Sequence, residues 1–157
     1  MRVTNTLLLI VVFIYSAHAS ARMLDIEDTI DFCFTNLPST FSNTDNCVSN
    51  ENRISQDRLD KEIIRMKSII NKDYDGPFHL NDVEGEKISN VFLQQFARSQ
   101  EAWEKAKKDL CEANANLMGE WATSHDISVM SCNIKMNNRR TEEIKLITES
   151  SNKKTIS

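Results

Sequence analysis

The chain is expected to be all-α: a three-helix antiparallel bundle with a short N-terminal lead-in helix, stapled by two disulfides. Three observations lead there. Apolar residues recur at steps of three and four along three long segments. Only three glycines and two prolines occur in 157 residues, too few for the turns of an all-β chain. Four cysteines follow a segment built like an export signal, and exported chains oxidise their thiols.

The export signal occupies residues 1–19. Arg2 supplies a basic start, Leu7 to Tyr15 an apolar core, and Ala17-His18-Ala19 a small-x-small cleavage pattern. The apolar run is shorter than the roughly 20 residues a membrane span needs. The mature chain is therefore expected to begin near Ser20, with no stable membrane insertion. No cysteine stands at the cleavage point, so a lipoprotein is not expected. The compartment implied is the periplasm, or the outside of the cell.

A lead-in helical turn fits Leu24 to Phe34, where Ile26 and Ile30 share a face, and Asn36 to Thr44 reads as a loop. The first long helix is placed at about Asp45 to Asn71. Its stripe is Leu59, Ile63, Met66 and Ile70. Asp75-Gly76-Pro77 breaks it. The second helix runs from about Asn81 to Met118, with a stripe of Ile88, Phe92, Phe96, Ser99, Trp103, Ala106, Leu110, Ala113 and Leu117. Its outer face offers Glu101–Lys105, Glu104–Lys108 and Lys108–Glu112 at i,i+4 spacing, a solvated charged surface. Gly119 ends this helix. Ser124 can cap the third, and Asp126 suits the positive end of its dipole. The third helix runs to about Glu149, with Ile127, Met130, Ile134, Ile144 and Ile147 inward and Met136 off the stripe. Residues 20–149 make a single domain, and 150–157 read as a flexible polar tail.

Cys33, Cys47, Cys111 and Cys132 all lie in the mature region. Four cysteines allow three pairings. Loop length and helix placement favour Cys33–Cys47 and Cys111–Cys132, each worth about 3 kcal/mol by chain entropy. The tight spacing of zinc modules is missing, and no histidine flanks them.

Composition points away from chemistry. Without Arg2 the basic residues number 18 against 23 acidic ones, a formal charge of −5. That balance disfavours nucleic acid and anionic lipid and suits a basic protein partner. His79 and His125 are isolated in sequence. No nucleophile elbow, phosphate-binding glycine loop or zinc-protease helix occurs. Neither an enzyme, a cofactor nor a metal is expected. Trp103 lies on the apolar stripe. Trp121 falls in the connection beside Cys111 and Cys132, and either caps the end of the core or stands exposed as a contact residue.

The run Ser99-Gln100-Glu101-Ala102-Trp103, then Cys111, Cys132 and Arg140-Thr141 with Ile144 beyond, resembles the N-terminal domain of the LprI-type lysozyme inhibitors. That family pairs a Gln-x-x-Trp helix with a cysteine eight residues after the tryptophan and a second about twenty residues further on. An Arg-Thr pair then follows, as Arg140 and Thr141 do here. Cys33 and Cys47 match the family's upstream pair. The chain departs from the family at Ala106-Lys107-Lys108, where Tyr-Arg-Asp is usual and Asp109 stands one place late. It also lacks a Gly-Gly-Ser stretch between Cys111 and Cys132.

The resemblance implies a secreted helical module that binds a basic lysozyme or other peptidoglycan hydrolase and occludes its cleft. Gln100, Trp103, Arg140 and Thr141 would be its framework, and Trp121, Asp109 and Glu112 are the candidate partner contacts. Two alternatives are a non-inhibitory structural or stress-response module of the cell envelope, and an immunity protein against a cell-wall toxin.

Overall fold

The computed structural model describes residues 32–35, 41–80 and 85–154. The expected signal peptide, residues 1–19, and most of the expected lead-in turn at 24–34 lie outside the described residues. The fold is all-α, with helices α1 (Phe41–Asp73), α2 (Ile88–Asn116) and α3 (His125–Lys154). Cys33 is joined to Cys47 and Cys111 to Cys132, with Cα separations of 5.7 and 5.4 Å. These are the two pairings that loop length favoured. No helix among the described residues is long and apolar enough to cross a membrane.

The chain divides into two units, Met1–Val48 and Ser49–Ser157. In the first, residues 32–35 form a helical turn in which Cys33 is buried between exposed Phe32 and Phe34. Residues 41–44, expected in a loop, are already helical, and Cys47 ties that first stretch of α1 back to the turn. Val48 is fully buried.

In the second unit, Leu59, Met66 and Ile70 of α1 meet Phe96 of α2 and Ile144 of α3 in one apolar cluster. Ile63, Tyr74, Phe92, Leu93, Trp103 and Ile147 pack around it. Each fully buried aliphatic side chain contributes about 1.5–3 kcal/mol. The Phe92 and Phe96 rings stack with centroids 6.1 Å apart. Polar pairings give the order of the helices along one another: Ser55 with Asn137, Arg58 with Asn138 and Arg65 with Thr148. Arg65 is also held above its ordinary pKa by hydrogen bonding to Glu62.

α2 begins later than its apolar pattern suggests. Lys87 pairs with Pro77 in an isolated antiparallel bridge. Phe78 N–H donates to Glu86 O at 2.7 Å and Ile88 N–H to Gly76 O at 3.0 Å. Backbone committed to that bridge cannot turn helical, so the start moves from the expected Asn81 to Ile88.

The expected stripe of α2 fails at Ile88 and Ser99, both exposed, and again throughout beyond Trp103. Ala106, Leu110, Ala113 and Leu117 are exposed, while Lys107, Cys111 and Ala115 are buried. Successive steps of four rotate the buried line by about 40° each. Two facts set that rotation: Cys111 must face Cys132, and the Lys107 amine has partners waiting inside. Among the described residues the three expected i,i+4 pairs on α2 are not formed. Glu104 pairs instead with Lys107 at 2.8 Å.

α3 starts close to where Ser124 was expected to cap it, since Ser128 N–H donates to Ser124 O at 2.9 Å. The Ser124 hydroxyl itself is aimed at Met118 Sδ, 3.8 Å away. Ile127, Ile134 and Ile144 are buried and Met130 and Ile147 half-buried, as the periodicity predicts. Between them the inward positions are polar: Asn137 and Thr141. The helix continues to Lys154, past its expected end at Glu149 and into the segment read as a flexible tail.

Candidate functional site

Three arrangements in the second unit bear on function. The first joins residues far apart in sequence. Arg140 Nε donates to Gln100 Oε1 at 3.2 Å and its Nη2 to Ser99 Oγ at 3.3 Å. The guanidinium lies 5.6 Å from the Trp103 ring centroid and 5.8 Å from that of Phe96, and Glu143 Oε2 accepts from Nη1 at 3.0 Å. A planar cation over aromatic faces with fixed acceptors at its edge is held by stacking and hydrogen bonding together. Gln100 Nε2 is buried without a partner. Thr141 is buried on the same helix, its hydroxyl bonded back to Asn137 O at 2.8 Å. So Gln100, Trp103 and Arg140 come together, while Thr141 serves the interior of α3.

The second arrangement is a polar seam that sequence reasoning missed. Lys107 is only 8% exposed. Its amine donates to Asn137 Oδ1 at 3.0 Å and to Gln56 Oε1 at 3.4 Å, and sits 4.7 Å from the Trp103 ring centroid. Asn137 Nδ2 donates onward to Ser55 Oγ at 3.1 Å, whose own hydroxyl donates to Asn52 O at 2.8 Å. With Glu104 on the Lys107 amine, the buried charge is paired and fully engaged, as burial demands. The available signal was a gap in the apolar stripe of α3 at Asn137 and Thr141, opposite a lysine at i+4 from Trp103.

The third arrangement is the α2–α3 turn. Met118 N–H donates to Ala115 O at 3.0 Å, Gly119 N–H to Asn116 O at 3.0 Å, and Ala122 N–H to Gly119 O at 3.0 Å. Gly119 has φ +82°, a left-handed conformation that favours glycine. The Trp121 ring lies directly over it: a Cβ at 119 would stand 2.6 Å from the indole nitrogen. Trp121 is nevertheless 85% exposed, beside Leu117 at 86% and Met118 at 40%. Trp121 is thus exposed and does not cap the core. Behind the turn, His125 Nε2 and Asn116 Oδ1 stand 3.2 Å apart, and Cys111–Cys132 joins the two helices.

Asp109 and Glu112 are both exposed on α2. Glu112 lines an open groove of about 470 Å³ together with Glu104, Lys105, Lys107, Lys108, Val129 and Asn133. Asp109 and Trp121 are not among the residues lining it. His79 rests edge-on against Phe78, with centroids 4.9 Å apart. Among the described residues no group of three or more His, Cys, Asp or Glu is placed to hold a metal ion. Compared with protein-family models, curated proteins and solved structures, the chain matches none.

Proposed function

We propose that this chain is an exported antiparallel three-helix module that binds a lysozyme or a related peptidoglycan-cleaving enzyme and blocks its cleft. One observation carries the reading. Three of the residues that carry the resemblance to the LprI-type inhibitors, Gln100, Trp103 and Arg140, come together in one cluster, with Arg140 bonded to Gln100 and stacked on Trp103. The four cysteines of the same pattern form two disulfides, in keeping with the periplasm or the extracellular space. The pairing order of α1, α2 and α3 supports the antiparallel arrangement. Lys107 of α2 faces Gln56 of α1, and Arg140 of α3 faces Gln100 of α2.

In this reading the module catalyses nothing and acts by affinity. Its acidic balance draws it to a strongly basic enzyme, and long-range attraction raises the association rate more than the final affinity. The test adds the purified, disulfide-bonded mature chain in molar excess to lysozymes of several types acting on suspended cell walls. Clearing should slow for at least one enzyme. Unchanged clearing rates across the panel would remove lysozyme as the target.

A further inference from the structure

The geometry points to the α2–α3 turn as a docking surface for a basic polypeptide segment. That segment would bear apolar side chains to cover Trp121 and Leu117, and arginine or lysine to meet acidic flanks. Tryptophan is highly buried on average in folded proteins. Here one is 85% exposed, at the tip of a turn that also exposes Leu117 and Met118. Scattered exposed apolar residues are normal, but a contiguous group at one tip marks an interaction surface.

The turn is also rigid for its size. Gly119 fixes its hand, the indole rests on that glycine, and Cys111–Cys132 clamps the helices behind it. A contact group already ordered loses little entropy on binding, so more of its contact energy appears as affinity.

Charge selects the partner. Between Lys108 and Lys135 the sequence holds no lysine or arginine, and it holds Asp109, Glu112, Glu120 and Asp126. All four are exposed. Glu120 adjoins Trp121 and Asp126 stands in the first turn of α3, and these two form the rim of the turn. Asp109 and Glu112 lie further back on α2, beside Lys105 and Lys108. An apolar centre with a rim of one sign asks for an apolar patch with a rim of the other. A second copy of the chain would bring like charges together, and an anionic membrane would repel the same rim. The basic segment is the occupant that satisfies both parts. This inference goes beyond the inhibitor reading, because it needs no particular hydrolase.

The test pans a phage-displayed library of random peptides against the immobilised, disulfide-bonded mature chain. Enriched peptides should be net positive, carry aromatic or aliphatic residues, and lose affinity as salt is raised. They should bind Trp121→Ala at least about tenfold more weakly and Leu117→Ser more weakly too. Phe78→Ser, in the connection between α1 and α2, should bind them as the parent does. Circular dichroism of each variant checks that the helices remain. Absence of enrichment, enrichment of neutral or acidic peptides, or equal binding by Trp121→Ala would overturn the inference. So would sedimentation showing dimers that Trp121→Ala dissolves. Failure to slow any lysozyme leaves these outcomes unaffected, so the two readings fail separately.

Discussion

The interior of the second unit is held in two different ways at its two levels. At one level Leu59, Met66, Ile70, Phe96 and Ile144 pack carbon against carbon. At the other, Ser55, Lys107 and Asn137 are just as buried but meet through hydrogen bonds and one ammonium. The apolar level gains free energy from every methylene removed from water. The polar level gains little net energy, because its bonds replace bonds to water. What it gains is geometry, since each donor has a fixed acceptor. The difference teaches that equal burial does not mean equal contribution to stability.

The sharpest way to break the comparison is at the apolar level. Ile144→Ala should cost about 2–5 kcal/mol of unfolding free energy, through lost transfer energy and an unfilled cavity. Urea titration followed by circular dichroism measures it. Next comes the polar level: Asn137→Ala should cost about 1–3 kcal/mol, because the Lys107 amine loses an acceptor and Ser55 Oγ a donor. The double substitution Lys107→Met with Asn137→Leu sharpens the contrast. It should lie close to the parent in stability, since apolar pairs can replace buried polar ones at little cost. A double variant less stable than Asn137→Ala alone would mean that the seam contributes stability outright.

The smallest effect belongs to the surface. Arg65→Ala should cost under about 1 kcal/mol, as half-exposed ion pairs do. The guanidinium is held above its ordinary pKa by its hydrogen bond to Glu62. A raised folded pKa gives stabilisation that is complete below the unfolded value and lost only as pH climbs past the folded one. The Arg65→Ala difference should therefore be the same at neutral and mildly alkaline pH.

Much of the fold was legible in the sequence. Leu59, Met66 and Ile70 at steps of seven and four place the buried face of α1 correctly, and short loops identify both disulfides. The second half of α2 was misread because Leu110 and Leu117 look like core residues. A pattern that counts only apolar side chains also has no place for Lys107, whose stem is apolar and whose charge has partners inside. The start of α2 was hidden by the bridge between Pro77 and Lys87, a contact between residues ten apart that local propensity does not report. Exposure of Trp121 was undecidable from sequence. It follows from Gly119 turning the chain so that the indole lies over the glycine, outside the apolar cluster.

The ammonium inside the helices also acts as a gauge of alignment. Sliding α3 along α2 by one turn, about 5.4 Å, would bring Ile134 or Thr141 to the level where Asn137 now stands. Isoleucine offers the Lys107 amine no acceptor and leaves it only Glu104 and Gln56. Losing a partner of a buried charged group costs about 1–3 kcal/mol. Apolar layers alone tolerate such slippage, because one aliphatic side chain substitutes for another. A buried amine that loses Asn137 does not, so Lys107 penalises the shift that sets Ile134 against it.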